Sequence, residues 1–296
     1  MSDAFWQSLG DHLARHMNAS FVISQRHHCH GGSINQAYRL ITEDGRSLFV
    51  KMHPSASADM FEAEAAGLQE LFRSQSIRVP EVLATGVTDS QSWIAMEWLQ
   101  LGCGDMQSAR LMGEQLAAMH HCTAPQYGWH RHNTIGSTPQ LNTRETCWLE
   151  FFREHRLRYQ LNLAADHGFC GALQRKGERL LADMDAFFAD YMPAPSLLHG
   201  DLWGGNQGTD SQGRPVLFDP AVYYGDRETD LAMTTLFGGF ERSFYEAYQA
   251  VWPLDAGYQV RRTLYNLYHI LNHANLFGGS YAMQAERMID SLLAEL

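Results

Sequence analysis

Leu197-Leu198-His199-Gly200-Asp201-Leu202-Trp203-Gly204-Gly205-Asn206, followed by Leu217-Phe218-Asp219-Pro220-Ala221 and by Tyr224-Gly225-Asp226-Arg227-Glu228-Thr229-Asp230, is the stretch on which the reading of this chain turns. Asn206 stands five positions after Asp201. In phosphoryl transfer one carboxylate takes the proton of the attacking hydroxyl, and amide or carboxylate oxygens hold Mg²⁺ against the phosphates. D-x-x-x-x-N is a spacing at which a single loop supplies both. Asp219 follows a short glycine-containing hairpin over 207–218 and takes the place of a second metal-binding carboxylate. Asp201 is therefore the candidate base, and Asn206 and Asp219 are the candidate Mg²⁺ ligands. The alternative is a helix cap with a turn rich in Asp, Asn and Gly. The flanking sequence argues against it: Leu197 and Leu198 precede the loop, and Val216, Leu217 and Phe218 read as a strand delivering Asp219 to the same place.

The 296 residues suffice for a large core and two lobes, and 45% hydrophobic with 19% charged residues describes an ordinary globular protein. A net charge of −11 disfavours a nucleic-acid partner. Phosphates must then be met by a few local cations and Mg²⁺. There is no basic-then-apolar signal pattern and no apolar run of membrane-spanning length, so a membrane partner is not expected. Five scattered cysteines without C-x-x-C read as reduced thiols in the cytoplasm. Fifteen histidines invite a zinc site, but pairs such as His27–His28 and His120–His121 diverge across a strand or around a helix.

The first hundred residues read as an amphipathic helix over 1–19, strands over 21–25, 37–41 and 47–52, a helix over 59–74, and strands over 81–87 and 93–98. Between the first two strands, Gly31, Gly32, Ser33 and Asn35 form a turn whose backbone can approach phosphates closely; the plain alternative is a hairpin. Lys51 ends an apolar run, as does the phosphate-pairing Lys of V-A-I-K. Glu64 shares the apolar stripe of the next helix with Phe61, Leu68 and Leu71. A carboxylate there needs a partner, and Lys51 is the obvious one. Glu97 and Leu99 fall where an inter-lobe hinge would meet an adenine through backbone groups. No Pro/Gly/Ser linker follows, so a single tight crossing is expected between residues 1–98 and 99–296.

Beyond the hinge, helices are expected over 105–123, 143–166, 171–191 and 258–277, with a loop over 129–142 that is long enough to line an acceptor pocket. Asp226 is a candidate N-cap for a helix starting near 227. Asp230, in that helix's first turn, either braces the catalytic loop backbone or makes a helix-dipole contact. Near the end of the last helix His269, Asn272, His273 and Asn275 cluster. They are either sugar-binding groups or satisfied core residues.

These blocks together resemble the fructosamine-3-kinase (ketosamine-3-kinase) family. The resemblance is carried by Gly-Gly-Ser-Ile-Asn-Gln-Ala-Tyr (31–38), Phe-Val-Lys (49–51), Phe-Glu-Ala-Glu (61–64), Ile-Gly-Ser-Thr-Pro-Gln-Leu-Asn (135–142), His-Gly-Asp-Leu-Trp-Gly-Gly-Asn (199–206), Asp-Pro-Ala-Val-Tyr-Tyr-Gly-Asp-Arg-Glu (219–228) and Leu-Tyr-His-Ile-Leu-Asn-His-Ala-Asn-Leu-Phe-Gly (267–278). His-Gly-Asp followed by an Asn is shared with aminoglycoside and choline kinases; the Leu-Trp after Asp201 and the Asp-Pro-Ala block single out this family. The resemblance implies an α+β, bilobal protein-kinase-like fold of the aminoglycoside phosphotransferase and choline kinase type. Its first lobe is a five-stranded sheet with one main helix, residues 1–98, and its second is mostly helical, residues 99–296. It implies ATP-dependent phosphorylation of the sugar 3-hydroxyl of a ribulosamine or fructosamine. The product loses its sugar and frees the amine, which is a deglycation repair.

By position, Asp201 is then the base, Asn206 and Asp219 hold Mg²⁺, Lys51 with Glu64 positions phosphates, and 31–35 cover them. Trp203 offers an indole face to the acceptor sugar or packs between lobes, and His273 joins it as a candidate substrate contact. Many eukaryotic relatives carry Cys where Ser33 stands, which puts redox control at that turn in doubt here. Acceptors could be free or protein-bound, and a monomer is expected. Two other readings compete. One is a kinase of the same architecture acting on an aminoglycoside, choline or a free sugar; the other is a nucleotide-binding regulator without turnover. Protein kinase activity is disfavoured, because Pro-Ala follows Asp219 and no Ala-Pro-Glu follows.

Overall fold

A computed structural model describes residues 2–29, 35–54 and 58–296. The chain opens with α1 (Asp3–Met17), whose first turn is capped by Ser2 Oγ accepting from Phe5 N. Strands β1 (Ile23–Cys29), β2 (Gln36–Thr42) and β3 (Ser47–Pro54) follow, then α2 (Ala58–Arg73), β4 (Val82–Thr88) and β5 (Gln91–Glu97). The five strands form one antiparallel sheet in the order β1-β2-β3-β5-β4.

The period of two along β3 and β5 assigns the two faces. Leu48, Val50, Met52, Trp93 and Ala95 pack with Phe5, Leu9 and Leu13 of α1. Ile94 and Met96 point the other way, into the core shared with Phe61, Leu68 and Leu71 of α2. Lys51, between Val50 and Met52, is thereby directed to the α2 side. The first strand runs later than expected, over 23–29 rather than 21–25, because its pairing with β2 continues to Cys29↔Ala37 although its side chains are largely exposed.

The crossing to the helical part is short. β6 (Leu101–Gly102) already pairs with a hairpin of that part, and Arg78 binds both Glu97 (3.1 Å) and Asp210 (3.5 Å). Then come α3 (Met106–His120), β7 (Asn133–Ile135), β8 (Thr138–Gln140), α4 (Trp148–Phe152), a π-helical turn at 153–158, and α5 (Tyr159–Asp166). After α6 (Ala172–Asp183) the chain enters β9 (Ser196–Leu198), β10 (Gln207–Asp210), β11 (Pro215–Leu217) and β12 (Tyr223–Gly225). It ends with α7 (Glu228–Met233), α8 (Arg242–Val251), α9 (Tyr258–Phe277) and α10 (Ser280–Leu293).

Three expectations need correction. The segment 129–142 is not a plain loop: β7 and β8 pair there as a hairpin. Its strands are held by side chains, since Asn133 Nδ2 donates to Val222 O and Gln140 Nε2 to Ala221 O. No apolar alternation announces such a hairpin. The helix expected over 143–166 begins only at Trp148, because Glu145 is drawn into an extended bridge with Tyr127. The helix expected over 171–191 leaves α geometry at Met184. Two helices, α8 and α10, had no counterpart in the sequence reading, although Phe244, Ala247 and Tyr248 lie at helical spacing.

Candidate active site

Two antiparallel pairs build the site. β9 pairs with β12, and β10 with β11. The loop 199–206 leaves β9 and enters β10, while Asp219 sits between β11 and β12, so the segments carrying the candidate ligands emerge at one end of the same strands. His199, which the sequence reading left without a role, joins them. It is fully buried; its Nε2–H donates to Phe218 O (3.0 Å) and its Nδ1 accepts from Asp201 N (3.3 Å), so both ring nitrogens are used and the ring is neutral. Burial pushes its pKa down, in keeping with that assignment. Ala221 N donates to His199 O (2.8 Å) and Phe218 N to Asn206 O (3.1 Å), completing the stitch.

Asp230 does brace the loop. Its carboxylate accepts from His199 N (2.7 Å) and Gly200 N (2.8 Å), and His120 Nε2 lies 3.2 Å away. Burial works against the charged form, yet these donors hold the Asp230 pKa below the usual carboxylate range. Tyr248 OH, 2.8 Å from His120 Nδ1, fixes the ring from behind. Asp230→Asn presents an NH₂ to one of the two backbone N–H groups. The expected outcome is a loss of about 3 kcal/mol of stability with a fall in kcat, read by denaturant unfolding and steady-state assay; unchanged stability would refute the bracing role. Asp226 accepts from Glu228 N (3.0 Å) at the start of α7, as a cap does.

Lys51 lies 2.7 Å from Glu64 Oε1, and its ammonium also touches Asp219 Oδ1. Burial opposes the ammonium, but the two carboxylates outweigh it, so its pKa rises and it stays protonated. Tyr224 OH binds Glu70 (2.8 Å), which ties α2, and Glu64 with it, to the helical part. Asp201 is pushed up to about 7 by burial and by the charge of Asp219. Asn206 turns its amide N–H groups to Asp201 O (2.9 Å) and Asp201 Oδ2 (3.0 Å), which leaves its carbonyl oxygen as the atom it can offer. Asp219 itself holds φ +57°, a left-handed conformation of the kind that collects at functional sites.

Among the described residues no three His, Cys, Asp or Glu side chains form a ready metal cage. One amide oxygen, one partly exposed carboxylate and a second carboxylate beside them suit Mg²⁺, which keeps waters and takes phosphate oxygens.

A single cavity of about 880 Å³ runs through this region. Lys51, Glu64, Asp201, Asn206 and Asp219 all line it. Asn35 also lines it, with a buried Oδ1 that has no hydrogen-bond partner among the described residues. Gly31, Gly32 and Ser33 lie outside the described residues. Leu99 borders the cavity at the crossing. Glu97 borders it too, but its carboxylate is turned away to Arg78 and Glu81 N, and its own N–H is taken by Glu81 O. Trp203, 36% exposed, and His273 line the same cavity, as do Asn272 and His269. Asn275 instead binds Gln160 (2.7 Å). Phe237, Phe277 and Tyr281, which no sequence motif marked as site residues, also border it.

The sequence model of the fructosamine kinase family matches residues 5–295. The chain is 43% identical to a probable ketoamine kinase of Synechocystis sp., over 99% of this chain and 98% of that protein. It is 44% identical to the chloroplastic protein-ribulosamine 3-kinase of Arabidopsis thaliana, over 90% and 82%. A crystal structure of a candidate fructosamine-3-kinase from Haemophilus somnus superposes with a TM-score of 0.90 at 29% identity, covering 98% of each chain. The choline kinase of Streptococcus pneumoniae, 15% identical, shares the fold with a TM-score of 0.58 over 99% of this chain and all of that one. The architecture is thus the bilobal, protein-kinase-like one.

Proposed function

The chain belongs to the fructosamine kinase family, and from that premise we propose that it transfers the γ-phosphoryl group of ATP to the 3-hydroxyl of ketosamines of the ribulosamine or fructosamine type. The observation that carries this reading is the meeting of Asp201, Asn206 and Asp219 in one cavity with the Lys51 ammonium. Asp201 accepts the proton of the 3-hydroxyl as its oxygen bonds to the γ-phosphorus. The bond from that phosphorus to the β–γ bridging oxygen breaks, and ADP leaves. Lys51, aligned by Glu64, meets the phosphate oxygens. Asn206 and Asp219 would hold Mg²⁺, which neutralises the phosphate charge. Residues 1–98 act as the nucleotide lobe, covering the phosphates with residues 31–35 and meeting the adenine through the backbone at Glu97 and Leu99. Residues 99–296 act as the catalytic and acceptor lobe. Among the described residues no helix is long and apolar enough to cross a membrane, and acceptors in solution, free or on proteins, fit that.

The test is a Mg²⁺-ATP assay run in parallel against ribulosamines, erythrulosamines, fructosamines, aminoglycosides and choline. Phosphate should appear on O3 of the ketosamines, with release of the free amine afterwards. Transfer to choline or an aminoglycoside alone, or none at all, would overturn the proposal.

A further inference from the structure

Asp219 holds its left-handed φ directly before Pro220, although a proline steers the residue before it towards extended backbone. Such a conformation persists only where its surroundings over-determine it. On the side of the catalytic loop, Asn206 O and His199 O accept from Phe218 N and Ala221 N. On the other side stand three buried amides, Asn133, Gln140 and Asn142. Gln140 Nε2 donates to Ala221 O (3.0 Å) and to Asn133 Oδ1 (2.9 Å). Asn133 Nδ2 donates to Val222 O (2.8 Å), and Asn142 Nδ2 to Asn133 Oδ1 (2.9 Å). Two donors from distant helical segments end this chain: the Arg156 guanidinium donates to Asn142 Oδ1 (2.8 Å), and the Tyr268 hydroxyl to Gln140 Oε1 (2.8 Å). Arg156 is fully buried, with its guanidinium carbon 4.1 Å from the centre of the Tyr223 ring. It is held by amide and carbonyl oxygens, and among the described residues no carboxylate pairs with it.

We propose that Arg156, Asn142 and Tyr268 are positioning residues for phosphoryl transfer: they fix the direction of the amide chain Asn142–Asn133–Gln140, which holds Ala221 O and Val222 O and so keeps Asp219 where it lines the cavity with Asp201 and Asn206. The inference rests on the phosphotransfer reading of the site and not on the choice of acceptor. A guanidinium carries donors only. Asn142 must therefore turn its oxygen to Arg156 and its NH₂ to Asn133, and Asn133 must turn its NH₂ to Val222 O. Reversing any one amide would set NH₂ against NH₂ or oxygen against carbonyl. A fully buried arginine ordinarily has a charged partner; this one meets amide oxygens instead, which a donor-only group can orient. Only Pro220, whose ring fixes its φ, separates Asp219 from the first held carbonyl, so a slip at Ala221 is passed on to Asp219.

The experiment measures Mn²⁺ binding by electron paramagnetic resonance, with a non-hydrolysable ATP analogue present, for the wild type, Asn142→Asp and Tyr268→Phe. Mn²⁺ takes the same oxygen ligands as Mg²⁺. Asn142→Asp keeps a bond to Arg156, now as an ion pair, but removes the NH₂ that donates to Asn133. Tyr268→Phe removes only the hydroxyl that orients Gln140. Each variant should hold Mn²⁺ about tenfold more weakly, the worth of one neutral hydrogen bond, and kcat should fall by a similar factor. The thermal midpoint and the affinity for the same analogue in EDTA should stay near the wild-type values; either variant decides the matter if the other fails to fold. Wild-type Mn²⁺ affinity in a folded variant, or an equal loss of nucleotide affinity with and without metal, would overturn the positioning role and leave the phosphotransfer reading standing. A wild type that binds no Mn²⁺ with the analogue would overturn both.

Discussion

Asp201→Asn is expected to lower kcat by about 10²- to 10⁴-fold, the range that general-base catalysis contributes, while ATP binding persists. The reason lies in how the loop holds this side chain. Asp201 Oδ2 accepts from Asn206 Nδ2 at 3.0 Å, and an amide oxygen can occupy the same place, so the loop keeps its shape and loses only a proton acceptor. The stability readout separates this from unfolding. Burial and the Asp219 charge raise the Asp201 pKa to about 7, so the stability tied to its neutral form is present at acid pH and is lost as pH rises through 7. Without divalent cations at pH 8, the neutral Asn should therefore melt no lower than the wild type. An Asp201→Asn enzyme with kcat within threefold of wild type, by steady-state assay on the phosphorylated ketosamine, would remove Asp201 from the base role.

Gly200→Ala should be as damaging by a different route. Gly200 holds φ +83°, and a Cβ there would fall inside the envelope of Ala221 O. That oxygen cannot retreat cheaply, because Gln140 Nε2 donates to it at 3.0 Å and Ala221 N is bound to His199 O. Left-handed strain and a backbone collision together should cost about 4 kcal/mol or more, at the exceptional end for single substitutions. Relief would pull His199 and Asp219 apart, so kcat should fall even in molecules that remain folded. The measurement is a denaturant midpoint beside kcat; a variant with wild-type values for both would show that the turn tolerates a side chain. Gly205 differs in kind: a Cβ there meets the Trp203 indole, so Gly205→Ala would displace a side chain rather than the backbone.

Much of the first lobe was legible in the residues themselves. The alternation Leu48-Phe49-Val50-Lys51-Met52 places Lys51 on one face, and the spacing of Phe61, Glu64, Leu68 and Leu71 places Glu64 on the facing stripe; the 2.7 Å contact joins two local patterns. The D-x-x-x-x-N spacing likewise marked Asp201 and Asn206 as neighbours. What was not legible depends on partners distant in sequence. Nothing local distinguishes Asp230 as a brace from Asp230 as a dipole contact. The choice is made by Gly200 N, thirty residues earlier, and by His120, a hundred and ten residues earlier. The β7–β8 hairpin was missed for the same reason, since Asn133 and Gln140 reach the backbone of residues 221 and 222.

Periodicity and short-range spacing, which depend only on backbone geometry, determined from the sequence alone the sheet with its helix and the loop that carries Asp201 and Asn206. Tertiary structure alone decided that Lys51 bridges Glu64 and Asp219, that His199 and Asp230 clamp the loop, and that Phe237, Phe277 and Tyr281 border the same cavity as Asp201. Those contacts join residues far apart along the chain, and their energies exist only once burial has removed water from between them.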